Sequence, residues 1–139
     1  YHFDTKVKTE YNKLCDVDIE KGLFTAENLY HIQKLVLNKI AMKGVALEVL
    51  LTSNTAISFY RESKEHHLEK WLGDDLDEEG MLTPPIVVGS DDPGIFMTNI
   101  YIEYARIATY LEQKGYGYTE RMHILEDLIK NGEYFKFGG

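Results

Sequence analysis

From Thr25 the chain becomes periodic. Leu29, Ile32, Val36 and Ile40 recur at three- and four-residue spacing, Thr25 can cap the run and Gly44 can stop it, which predicts an amphipathic helix. The next segment, "VALEVLL" from Val45 to Leu51, is a mostly apolar run of the kind a strand buried on both faces would show, and it ends in the polar cluster Thr52-Ser53-Asn54. The cycle then repeats. A second helix is expected around Glu65 to Leu72, followed by the acidic loop "GDDLDEEG", by Pro84 and Pro85, and by a short strand at Ile86 to Val88 that runs into Ser90-Asp91-Asp92. Beyond Pro93 and Gly94 a helix carries Ile100, Tyr104, Ile107 and Leu111 on one face, and a last helix from about Glu120 to Lys130 follows Thr119 as its cap. Residues 1–24 keep no period and read as a long loop.

Short apolar strands alternating with helices predict an α/β fold with parallel strands joined by crossover helices. In such folds ligands bind beyond the carboxyl ends of the strands, which is where both polar clusters fall. For Asp91 and Asp92 the sequence leaves two readings open. Asp before Pro-Gly is ordinary turn and helix-capping chemistry. Alternatively, neighbouring side chains at a strand end point in different directions, so that one carboxylate can address a metal and the other a bound ligand; magnesium in a phosphoryl-transfer site would use the same pair.

Composition narrows the classes. The 139 residues, 44% of them hydrophobic, suffice for one core of ordinary domain size. With 15 Lys plus Arg against 23 Asp plus Glu, a formal charge of −8 and no local basic patch, neither a nucleic-acid duplex nor an anionic membrane surface is an expected partner. The single Cys15 excludes an internal disulfide and a cysteine-rich zinc site and suits a reducing compartment, with cytoplasm as the default. No apolar run approaches a membrane span. The opening on Tyr1-His2, without an initiator Met, reads as part of something longer.

The stretch "SDDP" at Ser90 to Pro93, with Phe96, Thr98, Glu103 and Tyr104 at their following positions, resembles the signature after the last barrel strand of the adenosine deaminase family. "LEVLLTSN", Leu47 to Asn54, is similar to that family's penultimate strand, and "NGEYFKF" to its closing segment. The resemblance implies the carboxyl-terminal part of a (β/α)8 barrel: residues 1–24 as a loop, 25–97 as the last two helix–strand units, 98–139 as the terminal helices. It also implies a zinc-dependent hydrolase that converts a purine nucleoside, adenosine or deoxyadenosine first, to the inosine-type product and ammonia. On that footing Asp91 is a catalytic zinc ligand, Asp92 bonds the purine, and Ser53 and Asn54 shape or brace the pocket wall.

The departures are as specific as the likeness. The family's His-X-His pair, its fifth-strand His, its proton-donor Glu and its sixth-strand His are not matched, and the five histidines, His2, His31, His66, His67 and His123, form no His-X-His. His31, His66 and His67 read as surface or capping residues rather than ligands. The missing barrel segments are therefore expected in the same polypeptide or in separate chains, and self-association stays open. Leu50-Leu51 replaces the usual Cys-Pro and two connections are long, so AMP, adenine, another amidohydrolase substrate, or a catalytically incomplete interaction subunit remain alternatives.

Overall fold

The computed structural model describes residues 24–60, 62–73 and 81–136. The chain divides into two compact units, residues 1–32 and 33–139. Of the long loop expected over residues 1–24, all but Phe24 lies outside the described residues, as do His2, Cys15 and most of the acidic loop before Met81.

Helix α1 spans Ala26–Met42. Thr25 caps it, its hydroxyl accepting the Asn28 N–H at 3.1 Å, and the chain leaves it through Gly44 at φ 65°, a left-handed turn that glycine takes without steric cost. The stripe that marks this helix in the sequence is about half exposed, with Ile32 at 51% and Val36 at 50%, while Leu37 is buried.

Strand β1, Leu47–Val49, follows. Helix α2, Leu51–Ile57, begins two residues later, so the seven-residue apolar run supplies three strand residues and the start of a helix. After a 3₁₀ turn at Ser63–Glu65 come α3, Leu68–Leu72, and β2, Ile86–Val88. A four-residue α4, Pro93–Phe96, precedes α5, Ile100–Gln113, and α6, Tyr118–Phe135. Asn99 caps α5 through the Ile102 N–H at 3.0 Å. The cap of α6 is Gly117 rather than Thr119, with the Gly117 N–H donating to Glu120 Oε2 at 3.3 Å.

Among the described residues the sheet has two strands, β1 and β2, paired parallel with Leu47 opposite Ile86, Glu48 opposite Val87 and Val49 opposite Val88. The expected part of a (β/α)8 barrel is therefore corrected: the sheet is open, and most of the described chain is helical. Three residue pairs on two strands are too few to set the tilt and stagger that closing a barrel requires. Among the described residues β1 is buried on one side and not on both: Val49 is fully buried, whereas Glu48 is exposed. The core packs Val49 and Ile86 of that face with Leu51 and Leu68 and with Ile107, Leu111 and Leu128 of α5 and α6. Asn131 of α6 holds the strand directly, donating to the Ile86 carbonyl at 3.1 Å. No described helix is long and apolar enough to cross a membrane.

Candidate functional site

Parallel pairing brings the ends of β1 and β2 to the same end of the sheet. A bond from the Gly89 N–H to the Val49 carbonyl, 3.0 Å, carries the ladder one step beyond the strands. Glycine lets the chain pass closely there: a Cβ at position 89 would sit 2.6 Å from Leu50 Cδ2 and crowd the Glu48 carboxylate, so those side chains would have to move. The two polar clusters emerge beyond this point.

The first cluster turns inward. Thr52 and Ser53 are buried in the first turn of α2. Ser53 Oγ donates to the Leu50 carbonyl at 3.4 Å. Asn54 folds its Oδ1 back to accept the Leu50 N–H at 3.3 Å, and the same oxygen lies 3.4 Å from His66 Nε2. Thr52 gives both its N–H, at 3.0 Å, and its hydroxyl to the carboxylate of Glu103. The polar atoms of this cluster that make bonds make them to the protein.

Behind it lies His66. Its Nδ1 accepts the Leu68 N–H at 3.1 Å, the first amide of α3, which leaves the proton on Nε2 facing Asn54. Its carbonyl accepts the Tyr110 hydroxyl at 2.9 Å, and Tyr110 in turn accepts the Glu69 N–H at 3.2 Å. The residue is 4% exposed, its ring between Tyr60 and Trp71. Burial, helped by neighbouring His67, lowers its pKa to about 4, so the neutral form is the folded one near neutral pH. His66 is thus a capping residue, as the sequence allowed, but not a surface one.

The second cluster turns outward. Asp92 is the N-cap of α4, its Oδ1 accepting the Gly94 N–H at 2.8 Å and the Ile95 N–H at 3.0 Å, with Pro93 in the first helical position. Its turn chemistry is real, and it occupies one carboxylate oxygen. Asp91 differs. Its backbone is left-handed at φ 54°, its side chain is exposed, and its carboxylate makes no hydrogen bond or ion pair among the described residues. Met97, which closes α4, is among the described residues the other left-handed residue that is not glycine, at φ 49°.

Glu103 enters the sequence pattern above only as part of a motif. It is fully buried and accepts from Thr52 N–H, Thr52 Oγ1 and Thr98 Oγ1. The signal was present: three residues after Ile100, it puts a charge on the apolar face that runs through Tyr104, Ile107 and Leu111.

No family model matches the chain. Over 97 residues it is 35% identical to the aminodeoxyfutalosine deaminase of Streptomyces coelicolor, a match covering 70% of this chain and 21% of that protein. Over 101 residues it is 28% identical to the adenosine deaminase of Plasmodium falciparum, covering 65% of this chain and 25% of that protein. The chain thus spans between a fifth and a quarter of the length of the curated relatives it matches. This is distant, partial relatedness to deaminases.

Several expectations are corrected accordingly. Placement in the adenosine deaminase family as a barrel's carboxyl-terminal segment does not agree with an open two-stranded sheet in a mostly helical chain. Among the described residues no three His, Cys, Asp or Glu side chains gather closely enough to hold a metal ion. The reading as a zinc-dependent purine-nucleoside deaminase, with its amidohydrolase alternatives, needed a barrel and a metal centre, and the described residues form neither. The partner scheme of further barrel segments closing on a purine nucleoside presumed the same barrel and falls with it.

Proposed function

We propose that this chain is a ligand-site segment, distantly related to deaminases, in which the end of β2 offers the Asp91 carboxylate to a zinc ion. One observation carries the reading: an exposed carboxylate that bonds nothing among the described residues, on a left-handed residue, at the strand ends of a parallel pair. A left-handed aspartate at a turn is tolerated, but glycine is the residue such a turn selects on conformational grounds alone. The donor chemistry fits in part. An aspartate oxygen is an ordinary zinc ligand, but a zinc site takes three or more protein ligands, so the others come from outside the described residues.

Asp92 supports this arrangement through its cap and keeps its second oxygen for a hydrogen-bond donor on a small polar ligand. Ser53 and Asn54 brace the adjoining wall from within. The single Cys15 favours a reducing, cytoplasmic setting.

The experiment is metal analysis of the polypeptide as its cell makes it, wild type beside Asp91→Gly and Asp92→Asn. Zinc should co-purify with the wild type, be lost from Asp91→Gly, and be retained by Asp92→Asn, whose amide oxygen can still cap α4. Zinc undiminished in Asp91→Gly would end the proposal.

A further inference from the structure

Glu103 carries no role in the proposed zinc site, yet it is a fully buried carboxylate among the described residues. A carboxylate with 0% exposure ordinarily pairs with a cation, because desolvating a lone charge is costly. Here it accepts from three neutral donors on two different segments: the Thr52 N–H at 3.0 Å, the Thr52 hydroxyl, and the Thr98 hydroxyl at 2.5 Å. Thr52 belongs to the first turn of α2, whose N-cap residue Leu50 contributes no side-chain bond. The orphan amide there is satisfied from 51 residues away.

Thr98 belongs to the connection from β2 to α5, and it follows Met97, the left-handed residue that ends α4. This connection is held at its start by the Gly89–Val49 bond, in its middle by the Asp92 cap, and beyond α4 by the Thr98–Glu103 bond. Left-handed residues other than glycine are strained and persist where their surroundings over-determine them. Asp91 and Met97 bracket α4 in that conformation.

We infer that Glu103 is a positioning residue for the Asp91 loop: its buried carboxylate ties the loop's far end at Thr98 to the first turn of α2 at Thr52. The two strand ends are thereby locked together from beneath, and the outward carboxylate is presented on a fixed backbone. The inference deepens the proposed zinc-ligand role of Asp91 and rests on it for its functional meaning. Its structural content can be tested without metal.

The test uses Glu103→Gln and Thr98→Val in the full chain, with backbone order parameters from ¹⁵N relaxation and zinc affinity as readouts. Glutamine keeps the size of Glu103 but turns an N–H toward the donors; valine removes only the bond that reaches the loop. In each folded variant the order parameters of residues 91, 92 and 94–97 should fall from about 0.85 to below about 0.6, while those of α5 and α6 stay high. In Thr98→Val the Thr52 amide should keep its environment and zinc should bind about tenfold more weakly, although Asp91 is intact. If Glu103→Gln does not fold, Thr98→Val decides. Unchanged order parameters in residues 91, 92 and 94–97, or a loosened loop with unchanged zinc affinity, would overturn the inference. A wild type that binds no zinc would refute the proposed function and leave the order parameters to decide the positioning role.

Discussion

The two polar clusters at the strand ends look alike in sequence and have opposite fates. Thr52-Ser53-Asn54 opens a helix and commits its bonds to the protein: to Glu103, to the Leu50 backbone and to His66. Ser90-Asp91-Asp92 opens a turn, commits one Asp92 oxygen to a cap, and leaves the Asp91 carboxylate in solvent. Position at a strand end is thus insufficient to mark a ligand residue. What separates the clusters is whether the fold supplies a complementary partner: an acceptor for the donors of the first, a donor for the carboxylate of the second. Glu103 accepts both donors of Thr52, whereas nothing among the described residues donates to the carboxylate of Asp91.

That contrast can be broken from its inward side first. Glu103→Ala leaves the Thr52 amide and two threonine hydroxyls without their acceptor, and it should lower unfolding stability by about 3 kcal/mol in urea titrations; an effect below about 1 kcal/mol would mean that the inward cluster is not held by this carboxylate. Asn54→Ala removes the bond to Leu50 and the contact with His66, for an expected loss of about 1 kcal/mol by the same measurement.

His66 sharpens the comparison through pH. Its folded pKa of about 4 lies below the unfolded value of about 6.5, so between those limits the unfolded chain binds the proton first. Its contribution is complete above pH about 6.5 and is lost as pH falls toward about 4. Urea midpoints followed across that window should show the decline in wild type and a flatter profile in His66→Leu; identical profiles would contradict the assignment. The smallest effect belongs to the outward side. Asp91→Gly relieves a left-handed residue but adds freedom to the unfolded chain, so stability should stay within about 0.5 kcal/mol of wild type. Near-neutral Asp91 beside costly Glu103 is the signature of one cluster that faces outward and one that faces in.

Local chemistry was readable where it was self-contained. Thr25 and Gly44 delimit α1, the paired prolines before Ile86 mark the entry to β2, and Ile107 and Leu111 lie on the buried face of α5. Where the pattern was ambiguous it misled. The run from Val45 to Leu51 is apolar throughout because Val49 packs from a strand and Leu51 from a helix start, and hydrophobicity does not distinguish the two. The stripe of α1 located the helix but not its buried side, which is at Leu37. His66 was hidden for another reason: its burial depends on Tyr60, Trp71 and Tyr110, which converge only in the fold. The barrel was inferred from motif likeness, and closure is a property of strand number and stagger that no short motif contains. Glu103 could have been found from the pattern, since it stands among Ile100, Tyr104 and Ile107, but it entered only as a motif position.

The most direct measurement is X-ray diffraction at the zinc absorption edge from crystals of the polypeptide grown with zinc. The account predicts an anomalous peak about 2.0–2.2 Å from an Asp91 carboxylate oxygen, with Thr52, Ser53 and Asn54 still bonded inward. A zinc peak elsewhere with Asp91 unengaged, or none at any occupancy, would contradict it.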